Sequence, residues 1–140
     1  MRKSILFVVL AAAMFAGAAP AADNDAAVAK AQSSANAWLA LADAGKYGAT
    51  WDEAAAVFKA SITKVDWEKA LKGVRAQLGA LKSRKVKSAT FTKTLPGAPD
   101  GEYVVVLFDA EFENKASAVE TVTPTREKDG SWRVAGYFIR

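Results

Sequence analysis

The stretch from Leu95 to Arg140, LPGAPDGEYVVVLFDAEFENKASAVETVTPTREKDGSWRVAGYFIR, decides the fold of this chain. It begins with a turn rich in Pro and Gly and continues with three segments rich in Val, Thr, Phe and Tyr, separated by turns at Asn114-Lys115 and Glu127–Gly130. β-Branched and aromatic residues between such turns predict strands joined by hairpins. Another alternating segment, Val86 to Leu95, predicts a strand before the first turn. The sequence therefore predicts a four-stranded antiparallel sheet.

Three helices are predicted before the sheet. Asp25–Ala44 repeats apolar residues at helical spacing and ends at Gly45, a residue that tolerates the left-handed backbone of a helix C-terminus. The second helix begins with a capping box at Thr50–Glu53 and ends near Ser61, and the third begins at Thr63. The third helix carries the most regular apolar stripe, formed by Trp67, Leu71, Val74, Leu78 and Leu81. Helices followed by antiparallel strands define the α+β class, here with three helices packed on a curved sheet.

Pairing the strands through their turns assigns the side chains to two faces of the sheet. The face expected to take the helices carries Phe91, Val104, Val106, Phe108, Phe112, Val119, Trp132, Val134 and Phe138. The opposite face carries Tyr103, Val105, Leu107, Val122, Ala135, Tyr137 and Ile139, and no predicted helix is left to cover it. We therefore expect a homodimer through this outer face. A slip of one residue in register would exchange the two sets.

Residues 1–21 have the pattern of a secretory signal peptide. Met1–Lys3 supplies a positive start, Ile5–Ala18 is an uninterrupted run of apolar or small residues, and Ala19–Ala21 offers a small-x-small cleavage pattern. The run is shorter than the ~20 apolar residues of a membrane span, so we expect no membrane span after signal cleavage. The mature chain, residues 22–140, is long enough for a single α+β domain. We expect it in the periplasm or secreted.

The composition excludes several classes of function. The formal net charge of +4 falls by two when Arg2 and Lys3 are removed, and the remainder is too weak to argue for a nucleic-acid partner. The chain contains no His and no Cys. Ser-His-Asp and Cys-His nucleophilic systems are therefore excluded, as are metal sites built from imidazole or thiolate ligands. We expect no metal, no cofactor and no nucleic acid.

The remaining chemistry depends on carboxylates and Tyr hydroxyls. Three acidic residues alternate along one predicted strand and so project from one face: Asp109, Glu111 and Glu113. Their mutual repulsion is able to raise a pKa for general-base work, although such residues more often keep a sheet surface soluble. Glu120 lies in the middle of another strand. Paired with Arg84 or Arg133, it is either a structural ion pair or part of a pocket lining, and the sequence leaves both interpretations open.

The sequence also resembles a known family. The segments LPGAPDGEYVVV (95–106) and ETVTPTREKDGSWRVAGYFI (120–139), the SRK before the first strand and the Trp-bearing helices are similar to a small family of bacterial secreted proteins, domain of unknown function 4019. The resemblance covers roughly Ala29 to Arg140. It implies a cone-shaped α+β fold like that of nuclear-transport-factor-like and cystatin-like proteins. The family brings no established activity, so the resemblance implies no catalytic residue.

Two functions are compatible with these observations. The preferred one is a non-catalytic secreted module that binds a small ligand or a protein partner. The alternative is a small enzyme that uses a carboxylate and a Tyr in an apolar pocket, for which an enclosed cavity beside both groups would be the discriminating observation. The candidate residues for a pocket or an interface are Trp38, Trp67, Tyr103, Phe108, Glu120 and Tyr137. No residue is assigned a catalytic role. The aromatic residues either line a cavity or simply form the core.

Overall fold

The computed structural model describes residues 21–140, with side chains from Asn24 onward. The helices are α1 (Ala21–Asp43), α2 (Tyr47–Asp52), α3 (Ala56–Ser61) and α4 (Lys64–Leu78). The strands are β1 (Leu81–Thr92), β2 (Tyr103–Phe112), β3 (Lys115–Arg126) and β4 (Trp132–Ile139). This order confirms the predicted α+β class and the four antiparallel strands. Residues 1–20, which hold nearly all of the predicted signal peptide, lie outside the described part of the chain.

The second predicted helix is two short helices, α2 and α3, so the prediction of three helices was wrong. Between them the backbone is extended at Ala55, with φ −62° and ψ 155°. There the Ala55 N–H donates a hydrogen bond to the Val134 carbonyl of β4 at 2.8 Å. The next amide, of Ala56, donates to the Glu127 carboxylate at 2.8 Å, which satisfies an N–H at the start of α3. The helix is interrupted because this segment pairs with the edge of the sheet.

The two predicted helix caps have different outcomes. Thr63 accepts a hydrogen bond from the Asp66 N–H at 3.2 Å, which confirms it as the N-cap of α4. Thr50 is not a cap, because α2 already begins at Tyr47 and Thr50 is buried within it. The Thr50 hydroxyl donates instead to the Tyr47 carbonyl, one turn earlier, at 2.5 Å. The predicted capping box at this position was therefore wrong.

The strands follow one another in the order β1-β2-β3-β4, and α1 packs across all four of them. β1 begins at Leu81 rather than at Val86, because Gly79, with φ 75°, ends α4 two residues earlier. The ladders contain register shifts, which lie between Leu81 and Ser83, Val86 and Ser88, Ala110 and Phe112, and Thr123 and Pro124. Each shift changes which face the following side chains point to.

The face of the sheet that meets the helices, called the helix face below, holds the main core. The buried strand residues of this core are Val104, Val106, Phe108, Val122 and Val134. They pack against buried residues of the helices, among them Ala31, Ala35, Trp38, Leu39, Ala42, Trp67 and Leu71. A smaller cluster at the end of α4 combines Leu78, Ala110, Phe112 and Ala118. Burial of these side chains supplies the hydrophobic stabilisation of the domain.

The predicted face assignment holds for most positions and is wrong for five. Val119 and Phe138 lie on the other face, called the outer face below, whereas Val122, Tyr137 and Ile139 lie on the helix face. The register explains the error in β4. Pro124 pairs with Val134 but Thr123 pairs with Gly136, so Ala135 is an extra residue and every side chain beyond it changes face.

Candidate functional site

Aromatic side chains from three helices and one strand meet inside the domain: Trp38, Phe58, Trp67 and Tyr137. The ring centroid of Trp38 lies 6.1 Å from that of Trp67 and 5.1 Å from that of Tyr137. Phe58 meets Trp67 edge-on at 4.7 Å. These separations are those of attractive aromatic pairs. The aromatic residues thus pack against one another as part of the core.

Thr50 accepts a hydrogen bond from each of the two indole N–H groups in this cluster. Trp38 Nε1 donates to the Thr50 carbonyl at 2.9 Å, and Trp67 Nε1 donates to the Thr50 hydroxyl at 2.8 Å. Thr50 itself has no exposed surface. Because buried polar groups are costly without partners, this one residue fixes the orientation of both Trp side chains and joins α1, α2 and α4.

A charged cluster lies beside the aromatic one, on the helix face. Glu120 of β3 is fully buried and accepts hydrogen bonds from Arg84 Nε at 2.6 Å, Arg84 Nη2 at 3.2 Å and the Tyr137 hydroxyl at 2.5 Å. Arg84 also donates through Nη1 and Nη2 to the Asp43 carboxylate, at 2.7 and 3.0 Å. With Arg75, described next, the cluster contains two arginines and two carboxylates and is therefore formally neutral. It ties the end of α1 to three strands.

Arg75 of α4 completes the cluster with fewer partners. Its Nη1 donates to Asp43 at 2.9 Å, while its Nη2 lies 3.6 Å from Glu120 Oε2, which is too long for a hydrogen bond. Within the described residues, Nε and Nη2 of Arg75 are buried and have no hydrogen-bond partner. The guanidinium lies 5.2 Å from the centre of the Phe112 ring, which offers an attractive cation–π contact.

The electrostatics of the cluster favour fixed charges over proton transfer. Burial alone would raise the pKa of Asp43, but the hydrogen bonds and charges of Arg84 and Arg75 hold it below the usual value. Burial also opposes the charge of Arg84, yet the bonds to Asp43 and Glu120 raise its pKa. Burial and the Glu120 charge raise the pKa of Tyr137, so its hydroxyl stays protonated and donates to the carboxylate. Such an arrangement stabilises one ionisation state and is suited to holding elements together.

A pocket of about 190 Å³ lies on the outer face of the sheet, called the outer pocket below. Its floor is formed by side chains of the strands, including Tyr103, Thr121, Thr123 and Phe138, and its walls come from α3 and from the β1–β2 loop. The loop contributes Leu95, Pro96, Gly97 and Ala98, and α3 contributes Val57 and Ser61. The outer face is therefore partly covered, although no helix was predicted to cover it.

The β1–β2 loop is fastened over the outer face by hydrogen bonds at both of its ends. The Tyr103 hydroxyl donates to the Pro99 carbonyl, and the Gly101 N–H donates to the Lys93 carbonyl at 3.0 Å. Under this loop Tyr103 is only 4% exposed, and burial together with the charge of Asp100 raises its pKa. The loop thus gives the pocket a defined wall.

The structure separates the six residues predicted for a pocket or an interface. Five of them lie on the helix side and belong to the core or contact it: Trp38, Trp67, Phe108, Glu120 and Tyr137. Tyr103 alone has its side chain on the outer face. Tyr137 is near both sites, because it touches the charged cluster with its hydroxyl and lies along the pocket wall.

Sequence reasoning missed Arg75 and most of the pocket. Arg75 follows Leu71 by four residues and precedes Leu78 by three, so helical spacing alone was a sufficient signal for its burial. The pairing of Glu120 with Arg84, one of two partners considered, is confirmed. The outer pocket depends on a folded-back loop and a register shift, and neither leaves a periodic signal in the sequence.

Among the side chains of residues 24–140, no three acidic groups come together in a way that would hold a metal ion. None of the helices within residues 21–140 combines the length and the apolar character that crossing a membrane requires.

Together these features define a small α+β domain with a helical layer on one face of an open antiparallel sheet. The family model described as "Protein of unknown function (DUF4019)" matches residues 34–137, about three quarters of the sequence. The chain belongs to this family. Comparisons with curated proteins and with solved structures found no significant match. The predicted relation to nuclear-transport-factor-like and cystatin-like folds stays a prediction.

Proposed function

We propose that the protein is a non-catalytic binding module whose site is the outer pocket. The observation that carries this proposal is a pocket of about 190 Å³ with a mostly apolar lining. It lies on the outer face of the sheet, where solvent-exposed residues are usually polar. An apolar concavity with a few polar groups is the usual form of a small-molecule site. Residues that only stabilise the fold have no need to leave such a concavity at the surface.

The size of the pocket limits its occupant. Typical ligand pockets enclose about 300–1,000 Å³, whereas an engineered apolar cavity of about 150 Å³ takes benzene. A volume of about 190 Å³ therefore suits a molecule with the bulk of a single ring. The proposed ligand is a small apolar molecule rather than a large cofactor or a polymer.

The catalytic alternative has less support. A catalytic site of this kind requires a carboxylate beside a Tyr hydroxyl, and Glu120 and Tyr137 do form that contact at 2.5 Å. However, Glu120 has no exposed surface, and both of its oxygens accept hydrogen bonds from Arg84. A substrate cannot approach this carboxylate without breaking the ion pair, so the geometry favours a structural role for Glu120.

The test is a titration of the isotope-labelled protein with toluene, followed by NMR. Saturable shifts of the amides of Gly136, Phe138 and Ala98, at millimolar probe or below, support the proposal. Gly136 allows a specific block, because it lines the pocket and a Cβ at this position would meet no atom within 4 Å. Gly136→Val therefore places a branched side chain in space that the probe would occupy. Gly73→Val on the exposed side of α4 is the matched control, since its Cβ also meets nothing within 4 Å. Binding that survives Gly136→Val, or no binding to the wild type, would overturn the proposal.

Secretion and dimerisation are further parts of this proposal. The signal-like residues 1–21 predict export, and intact-mass analysis of protein purified from the producing cells should find a chain that begins near Ala22. The homodimer through the outer face is supported by Phe138, an apolar residue of the pocket floor that is still 36% exposed. Light scattering over a concentration series tests it, and a monomer at high concentration would exclude it.

A further inference from the structure

The lining of the outer pocket also specifies the chemical class of its ligand. We infer that the pocket takes a neutral molecule of single-ring size that carries one uncharged hydrogen-bonding group, such as a hydroxyl. This inference rests on the binding function proposed above and goes further, because it names the group that the pocket recognises and the residues that recognise it.

The first argument is the absence of charge from the lining. Every lining residue is uncharged; the set comprises Val57, Ser61, Leu95, Pro96, Gly97, Ala98, Tyr103, Thr121, Thr123, Ala135, Gly136, Tyr137 and Phe138. A charged ligand group entering this pocket would lose its hydration without gaining a partner of opposite charge, and that loss is large. The ligand that fits this lining is therefore neutral.

The second argument is the state of the polar groups in the lining. Three of the hydroxyls are already engaged. Tyr103 donates to the Pro99 carbonyl, Ser61 donates to the Phe58 carbonyl at 2.8 Å, and Tyr137 donates to the Glu120 carboxylate at 2.5 Å. Thr121 and Thr123 remain. Within the described residues, neither of these two hydroxyls takes part in a protein hydrogen bond, so both are available to a ligand.

The positions of the two Thr residues make them a pair. They are two residues apart on β3, so their side chains project from the same face of the sheet. Thr121 is opposite Phe138 in the ladder, and Thr123 is opposite Gly136, where no atom lies within 4 Å of the position that a Cβ would take. A Thr hydroxyl both donates and accepts, and two such hydroxyls suit a ligand hydroxyl that does the same.

The experiment compares probes of nearly equal shape in the purified protein. p-Cresol and p-xylene differ by the exchange of a hydroxyl for a methyl group, and p-toluate adds a negative charge. NMR titration should show p-cresol binding about fivefold more tightly than p-xylene, the size expected of one hydrogen bond. p-Toluate should bind at least tenfold more weakly than p-cresol, because its carboxylate finds no cation in the lining.

A double variant with side chains of unchanged shape tests whether the two Thr hydroxyls recognise the ligand. In the double variant Thr121→Val/Thr123→Val, the preference for p-cresol should disappear while the affinity for p-xylene is kept. Thr90→Val is the matched control, since Thr90 is exposed on β1 and lies outside the pocket lining. It should leave the preference unchanged.

The outcomes separate the inference from the binding function. Equal binding of p-cresol and p-xylene, a preference that survives the double variant, or tight binding of p-toluate would each overturn the inference while the binding function stands. If neither toluene nor any of the three probes binds to the wild type, the binding function fails as well. A double variant that no longer folds is recognised by its amide spectrum, and the comparison of the three probes on the wild type then decides.

Discussion

Arg84 and Glu120 form a bidentate ion pair that connects β1 with β3 across the intervening strand β2. Arg84 lies on β1 and Glu120 on β3, and two guanidinium nitrogens meet the two carboxylate oxygens at 2.6 and 3.2 Å. On the intervening strand, Ala110 is directly opposite Arg84, and its small side chain leaves room for the guanidinium. Glu120 has no exposed surface and the Arg84 side chain is only 12% exposed, so water and salt screen the pair weakly. Loss of either partner leaves a buried charge uncompensated.

Glu120→Gln should destabilise the protein by about 3–5 kcal/mol, the range for removing one partner of a buried ion pair. The amide keeps the shape of the side chain but leaves Arg84 without its buried counter-charge. Urea unfolding followed by circular dichroism measures the loss. Glu111→Gln, the same change at an exposed position of β2, should stay within about 0.5 kcal/mol of the wild type. Equal effects of the two substitutions would contradict the role assigned to Glu120.

Tyr137→Phe should lower the free energy of unfolding by about 2 kcal/mol, because its hydroxyl donates to a charged carboxylate. Tyr103→Phe offers a comparison, since the Tyr103 hydroxyl donates to the neutral Pro99 carbonyl. Its loss should amount to about 1 kcal/mol. Both values come from the same urea experiment. A larger loss for Tyr103→Phe than for Tyr137→Phe would show that the charged cluster adds nothing to the hydrogen bond of Tyr137.

Asp43 should make the protein sensitive to acid. Its pKa is lower in the folded state than the unfolded value of about 3.9. The stabilisation from Asp43 is therefore complete above about pH 4 and is lost as the pH falls through the folded pKa. Unfolding free energies measured from pH 7 down to pH 2 should fall less steeply below pH 4 in Asp43→Asn than in the wild type. Asp100→Asn, at an exposed loop position, should leave the acid dependence unchanged, and a matching change there would argue against Asp43.

Gly45 and Gly79 end α1 and α4 with positive φ angles of 73° and 75°. Gly45→Ala should destabilise by about 1–2 kcal/mol, the strain of a left-handed residue with a Cβ, because nothing lies within 4 Å of the added atom. Gly79→Ala should destabilise more, since its Cβ would lie 2.8 Å from the Cβ of Glu113. Glu113 cannot simply move away, because its carboxylate accepts the Ala80 N–H. Melting temperatures of the two variants compare the effects directly, and equal shifts would contradict the clash.

The elements of this fold were predictable because their signals are local. The apolar repeat predicted α1, the stripe of Trp67, Leu71 and Leu78 predicted α4, and turn residues separated the strands. Val74 shares that spacing but is 38% exposed, and Arg75 takes the buried position beside it. An apolar pattern assigns such places to apolar residues, so a buried Arg is overlooked unless its possible partners are considered together with it.

The two faces of the sheet were predicted less well, for a geometric reason. The prediction assumed that successive side chains alternate between the two faces from each turn onward. One extra residue, Ala135, exchanges the faces to which Tyr137 and Phe138 point. The charged cluster and the outer pocket both depend on that reversal. Nothing in the order of side chains marks the extra residue, because small and apolar residues stand on both sides of it. Pairing across strands decides such positions, and pairing is a property of the folded chain.

The hydrogen bond between Ala55 and Val134 limits how further copies of this protein could extend the sheet at its β4 edge. The α2–α3 segment pairs with the backbone of β4 there, and its neighbour Glu53 binds Arg133 at 3.3 Å, so the first part of the β4 edge is obstructed. β1 forms the other edge, and its side chains are mostly exposed. Fibre growth requires every added copy to offer a second usable edge. Two copies joined through β1 would present a β4 edge that is obstructed at Arg133 and Val134 on either side, which leaves only the last residues of β4 for a further copy.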